Sequence, residues 1–313
     1  MKRTRTRYRF EFLKSTPQVL RYKFFRIKPR TDKIGGYKKF SLEDGHFLIK
    51  RAIFNKEPFA AIRFGAVELS ALNNYEKRRL KIRKNYKKAV RFSIKNNAGF
   101  FPVTDEFLDH YGKLLETTLL DADAVGISGL HMENYYFHNL TPNALPLQNW
   151  ALDPLLGEWS HLLKGKKVLV VSPFAEEIEE QYKKRKLLFP NNNDILPDFK
   201  LTTVKAVQTI GDEVDERFSN WFEALDYLKL EILKQDFEIA LVGAGAYGTP
   251  LCLFIKSLGK IAIQSGGATQ LLFGIIGKRW ENREYVAKHI NEHWIRPTVQ
   301  AKGYEKVEGG CYW

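Results

Sequence analysis

The first residues to ask chemistry of are Gly243-Ala244-Gly245-Ala246-Tyr247-Gly248, a G-x-G-x-x-G set between an apolar run and a helical one. Glycines in that setting allow a tight turn and let backbone N–H groups approach a phosphate at the helix N-terminus. A dinucleotide site would add an acid about 20 residues on, at the end of the next strand, to hold the ribose. Here that strand reads Ile261-Ala262-Ile263-Gln264-Ser265, with no acid. NAD is therefore not expected, whereas a nucleotide or sugar phosphate remains open. A second glycine turn, Gly266-Gly267-Ala268-Thr269-Gln270, follows directly, and Lys278, Arg279 and Trp280 come soon after. Two glycine turns on adjacent strand ends with a Lys-Arg pair would cradle an anion, and Trp280 could stack on a base or sugar. The plainer reading of both stretches is a packing turn and a surface loop.

Glu68 ends the segment Arg63-Phe64-Gly65-Ala66-Val67-Glu68. A carboxylate beside an arginine at a strand end could bind a metal, orient a sugar hydroxyl or act as a base. It could equally complement the dipole of the helix it opens. His131-Met132-Glu133 has the H-x-E pattern of zinc deaminases, but the P-C-x-x-C partner is missing, since Cys252 and Cys311 stand far apart. Neither cysteine sits in a nucleophile motif, and there is no G-x-S-x-G elbow. Glu176, Glu177, Glu179 and Glu180 read as support for a helix N-terminus.

The elements that must hold these residues follow from periodicity. Residues 46–56 read as a helix, 59–65 as a buried strand, 67–95 as one long helical stretch, and Thr104 as the hydroxyl cap of another helix. From residue 166 the pattern turns regular: strands at KKVLVVSPF, LTTVKAVQTI, DFEIALVGAG and KIAIQSGG alternate with helices at EEIEEQYKKRKLL, 215–234 and GTPLCLFIKSLG. Continuous apolar strands alternating with amphipathic helices predict an α/β fold, a Rossmann-like parallel sheet with helices on both faces. Ligands of such sheets bind outside the carboxyl ends of the strands. The expected rim is Arg63 to Glu68, Ser172 to Phe174, Gln208 to Asp212, Gly243 to Gly248 and Gln264 to Gly267. The expected organisation is a basic, aromatic-rich extension over 1–40 and a single α/β catalytic domain over 41–313, split into an N-terminal half (41–160) and a regular βα half (161–313).

The 313 residues carry a net charge of +14. Residues 1–40 hold +12 of it and residues 76–95 hold +9, leaving the rest at −7. Such surfaces attract polyanions: nucleic acid, anionic lipid or a phosphorylated substrate. In residues 1–40 the cations are interleaved with Tyr8, Phe10, Phe12, Tyr22, Phe24 and Phe25. That mixture suits an anionic membrane surface, single-stranded nucleic acid or a solvated tail. No stretch approaches the ~20 apolar residues of a transmembrane helix. Two cysteines and no signal-peptide pattern lead to the expectation of a cytoplasmic protein.

The blocks ALVGAGAYGTPL, KSLGKIAIQSGGATQLLFGIIGKRW, NEHWIRP and VEGGCYW, with IRFGAVEL, NNAGFFP, VLVVSPFAEEIEEQYKKR and DFKLTTVKAVQ, resemble bacterial proteins of surface-polysaccharide gene clusters across residues 45–313. That group in turn resembles the GT-D fold glycosyltransferases, whose early strand ends in a pattern like R-F-G-D-G-E. The resemblance implies transfer of a sugar from a nucleotide-sugar donor to a surface glycan or lipid-linked acceptor. It also implies a divalent Mn2+ or Mg2+ held by an Asp-x-Glu pair at the donor diphosphate. The matching positions here are Ala66, Val67 and Glu68, so the aspartate is lost. Glu68 is then the candidate catalytic and metal-binding residue. Arg63, Gly65, Gly243, Gly245, Tyr247, Gly248, Gly266, Gly267, Gln270, Lys278 and Arg279 are the candidate donor-phosphate set, with Arg63 or the Lys278/Arg279 pair replacing the metal's charge. The basic extension would face the inner leaflet, and no specific nucleic acid is expected. Two other readings stand beside this one: a polyanion-binding protein on a degenerate transferase fold, and an NAD-dependent oxidoreductase.

Overall fold

Apolar strands that alternate nothing outward can sit only where both faces of a sheet are covered, and the protein satisfies this with one seven-stranded sheet. The computed structural model describes residues 3–313; Met1 and Lys2 of the expected extension lie outside the described residues. The strands are β1 (Phe59–Arg63), β2 (Ala124–Ile127), β3 (Leu145–Gln148), β4 (Lys167–Ser172), β5 (Lys200–Lys205), β6 (Ile239–Val242) and β7 (Ile261–Ile263). All pair in parallel, in the order β3-β2-β1-β7-β6-β4-β5. Ala60, Ile62, Leu169, Val171, Ala240 and Val242 face one core, while Phe59, Ala61, Val168, Val170, Ile239 and Leu241 face the other.

The helices are α1 (Arg5–Phe25), α2 (Leu42–Asn55), α3 (Ala66–Arg79), α4 (Lys88–Ala98), α5 (Asp105–Thr118), α6 (Glu133–Leu140), α7 (Ala175–Lys183), a short α8 (Arg185–Leu188), α9 (Trp221–Leu233), α10 (Gly248–Ser257) and the single-turn α11 (Thr269–Leu272) and α12 (Glu284–Ala287). Buried residues of α1, α3 to α6, α9 and α10 fill the first core; those of α2, α7, α8 and the C-terminal segment fill the second. The chain therefore leaves β1 toward one face and β7 toward the other. Neighbouring strands whose exits diverge in this way open a crevice at their carboxyl ends.

Three local expectations change. Residues 67–95 form two helices rather than one, because the turn between them lets Arg78 reach Asp105 (3.2 Å) and Asp109 (2.9 Å) on α5. Arg91 pairs with Asp105 as well. A single helix would have stacked cations of this stretch, such as Lys77, Lys81 and Lys84, on one another at i,i+4 and i,i+3 spacing. The helix expected from 215 starts only at Trp221, where the Asn220 side chain accepts the N–H groups of Phe222 and Glu223. Strands β2 and β3, four residues each and containing Gly126 and Pro146, carry too little pattern to stand out in the sequence.

The basic extension contains a 21-residue helix. Its first half docks: Tyr8 is buried edge-on against Tyr135 (5.5 Å), and Phe12 meets His131 at 4.7 Å. Gln18 donates to the Gly129 carbonyl (2.7 Å). Beyond it Val19, Leu20, Tyr22, Phe24 and Phe25 are all exposed. Among the described residues no helix is long and apolar enough to cross a membrane.

Trp221 is fully buried, with ring centroids of Phe100, Tyr111 and Tyr247 within 5.3 Å. Trp221→Ala should therefore cost about 3–5 kcal/mol of unfolding free energy, read by chemical denaturation.

Candidate functional site

The crevice at the β1–β7 junction opens into a cavity of about 320 Å³, walled by the loops after β1, β4, β5, β6 and β7. That size suits a small-molecule ligand. Arg63, the last residue of β1, is fixed through its backbone: its N–H donates to Gln264 Oε1 (3.0 Å), which also accepts from Thr249 Oγ1 (3.0 Å). The guanidinium lies against Gly266, whose φ of +58° favours glycine and where a Cβ would come within 2.4 Å of Arg63 Nη2. Arg63 is half-buried, yet among the described residues it is in no ion pair. A guanidinium so placed keeps five N–H donors for an incoming anion.

Glu68 lies in the first turn of α3, just after the same loop. Gly65 is the N-cap of α3, and a Cβ there would lie 1.9 Å from Glu68 Oε2, so the carboxyl folds back over the start of its own helix. Burial pushes its pKa above the ordinary glutamate value; a hydrogen bond from its own N–H and the charge of Arg63 pull the other way, and burial wins.

Of the expected residues, Gly65, Glu68, Gly243, Gly245, Gly266, Gly267, Gln270 and Arg279 share this cavity with Arg63. Tyr247 lines it too, but its ring is stacked on Trp221 (4.8 Å, 10°) and belongs to the core. Three others are placed elsewhere. Gly248 lies beneath the wall, where its missing side chain makes room for Gln264 Nε2. Lys278 is exposed and tied by its backbone N–H to the Trp313 carbonyl (3.0 Å). Trp280 is buried in the second core and borders a neighbouring cavity instead.

The sequence reading missed the wall built by the last residues of the described chain. Arg279 N–H donates to Cys311 O (3.0 Å), and Gln270 Nε2 to Tyr312 O (3.2 Å). These bonds set Glu308, Tyr312 and Trp313 on the cavity. Arg279 itself pairs with Glu308, donates to Tyr312 Oη (3.0 Å) and sits over that ring at 4.7 Å. The signal available beforehand was the glycine- and aromatic-rich VEGGCYW stretch. Loop Asn97–Gly99 adds a further wall. The H-x-E pattern at 131–133 is structural: Glu133 accepts the N–H groups of Ser128, Gly129 and Leu130 at 2.7 to 3.0 Å.

The donor set does not fit a divalent cation. Ala66 stands where a second carboxylate would be, the cavity's other acid, Glu308, is engaged by Arg279, and among the described residues no three His, Cys, Asp or Glu side chains come together. A hard dication takes six or more oxygens.

A parallel α/β sheet with a polar crevice at its carboxyl rim defines a Rossmann-like ligand-binding architecture, and the family comparison makes it specific. The model of the GT-D fold-like domain matches residues 46–272, and the chain belongs to that family. No curated protein and no solved structure matches the chain.

Glu68 holds its proton more tightly folded than unfolded, so it makes stability fall as pH rises from the ordinary value of 4.5 through the raised one. Glu133, pushed up to about 7, and Asp153, up to about 6, act in the same sense. The difference between wild type and Glu68→Gln isolates Glu68: the variant should be the more stable protein above that window and lose its advantage below pH 4.5, measured as denaturation midpoint against pH.

Proposed function

We propose that the protein is a glycosyltransferase that moves a sugar from a nucleotide-sugar donor to a surface glycan or lipid-linked acceptor, with the donor diphosphate on Arg63. The observation that carries this reading is the unpaired Arg63 guanidinium in the β1–β7 crevice, ringed by glycine turns whose backbone can approach a phosphate closely. In the transfer, the bond from the anomeric carbon to the diphosphate oxygen breaks as the acceptor oxygen adds. The departing diphosphate keeps the electron pair, and its growing charge is met by Arg63 and by backbone N–H groups of the Gly243–Gly245 and Gly266–Gly267 turns. In its ionised form Glu68 takes the acceptor's proton; in the alternative role it orients a sugar hydroxyl and the proton passes to solvent. On this reading Arg63 does the work a metal does elsewhere, which accords with the loss of the aspartate at Ala66.

Activity takes place at the cytoplasmic face of the membrane, where lipid-linked acceptors lie. The projecting end of α1 supports this: exposed Phe24 and Phe25 alternate with Arg21, Lys23, Arg26 and Lys28. Aromatic rings at the interface with cations at anionic headgroups bind such a surface. The docked half of the helix is part of the core, so the informative change is local rather than a truncation of residues 1–40.

The nucleotide reading is tested by thermal shift with UDP, GDP and CDP. One of them should stabilise the protein, by about 2.7 kcal/mol at a hundred times its Kd. Arg63→Ala should weaken that binding by ten- to hundredfold, the worth of about 1.5–3 kcal/mol for a charge-assisted contact. Stabilisation by heparin alone, abolished by salt, would instead support the polyanion-binding reading that Ala66 favours. In flotation with phosphatidylserine vesicles, Phe24→Ser combined with Phe25→Ser should lower binding severalfold and leave nucleotide binding unchanged; undiminished flotation would remove the membrane role.

A further inference from the structure

Beside the donor crevice lies a second cavity of about 240 Å³ that shares Arg63, Gly267 and Arg279 with it. Its remaining polar lining is unlike that of a packing defect. Asp153 is only 5% exposed, with Oδ1 accepting the Leu155 N–H (3.0 Å) and Oδ2 accepting the Tyr285 hydroxyl (2.9 Å). The carboxylate keeps acceptor capacity beyond these bonds. Asn149 also borders the cavity, its Oδ1 buried against Gly126 of β2 and turned away from the open space. Arg283 is exposed at the mouth and, among the described residues, is in no ion pair. Trp150 is 42% exposed, and its ring stands edge-on to Tyr285 at 6.4 Å.

We propose that this second cavity binds a hexose phosphate, the phosphate-bearing sugar of the acceptor, with its ring on Trp150 and Tyr285, a hydroxyl on Asp153, and its phosphate on Arg283 and Arg63. The inference rests on the transferase reading for the word acceptor, but the site stands on its own lining. Each part of that ligand has a counterpart: sugar C–H faces suit exposed aromatic rings, hydroxyls need buried acceptors, and a phosphate needs guanidinium donors. Burial pushes the Asp153 carboxyl up to about 6, against the pull of the Leu155 N–H, the Tyr285 hydroxyl, the Leu156 N–H and Arg63, so near neutral pH it is largely ionised and accepts from a hydroxyl. Arg63 stands between the two cavities and would touch a phosphate on either side. This places donor and acceptor phosphates around one cation, with the reacting sugar carbon between them.

The test is a titration of the full chain with glucose 1-phosphate, N-acetylglucosamine 1-phosphate and inorganic phosphate, followed by tryptophan fluorescence and by calorimetry. A hexose phosphate should bind more tightly than phosphate and change the Trp150 emission. Trp150→Ala should weaken it by about fivefold or more, and Arg283→Ala and Asp153→Asn by about tenfold, sizes that match the loss of one aromatic face or one charged contact. Trp150 and Arg283 are exposed, so those two variants keep the test sound even if Asp153→Asn proves poorly folded. UDP, GDP and CDP binding should be unaltered by Trp150→Ala and Arg283→Ala. Hexose phosphates that bind neither more tightly than phosphate nor more weakly to these variants overturn the assignment. Nucleotide binding weakened by Trp150→Ala overturns it too, since the cavity would then belong to the donor. Loss of nucleotide binding in the wild type bears on the transferase reading alone.

Discussion

A guanidinium half out of water with no carboxylate to pair with is the constraint around which this molecule is organised. Arg63 sits at the end of β1, beside the central strand β7, and is held by its backbone to Gln264, while its side chain crosses the bare face of Gly266. Two acids flank it without pairing, Glu68 and Asp153, and each feels its charge. Both nonetheless hold their protons more tightly than a free carboxyl, because burial costs each charged form more than one arginine returns. The arrangement leaves positive potential in the crevice and places two adjustable acids at its borders.

Such a site needs a rigid frame, and the sheet supplies it. The seven strands carry apolar residues on both faces, so most polar groups of the αβ half are pushed into the loops at the strand ends. The exits of β1 and β7 diverge, opening the crevice at the one strand pair that joins the two halves of the chain. Glycine gaps then let neighbouring parts of the rim approach: Gly266 admits Arg63, Gly267 admits Tyr312, and Gly248 admits Gln264. The Glu308–Trp313 stretch closes the remaining side through backbone bonds to Lys278 and Arg279.

The large positive charge divides into two kinds. Arg78 and Arg91 are consumed by Asp105 and Asp109, where they knit α3, α4 and α5 together, and Arg79 pairs with Glu76 within α3. The cations at the end of α1 remain in solvent beside exposed aromatic rings, and Lys81, Arg83, Lys84, Lys87, Lys88 and Lys95 are exposed as well. Ion pairing therefore removes only part of the second basic stretch's charge, and what sets the projecting helix apart is the exposed aromatic rings among its cations.

Periodicity alone determined the α/β class, the regular βα half, and the strand ends on which to search, because apolar runs between glycine turns are local properties. Arg63, Glu68 and the two glycine turns were legible for the same reason: each sits at a strand end or opens a helix. What the chain could not reveal locally was partnership. Nothing in the sequence says that Lys278 faces solvent while Arg279 turns inward, that Trp280 belongs to the core, or that the VEGGCYW stretch walls the site. Nor does it say that Asp153, about ninety residues from Arg63, shares its electrostatics. These were decided by contacts between segments far apart in the chain, where packing and desolvation depend on neighbours that exist only once the sheet has formed.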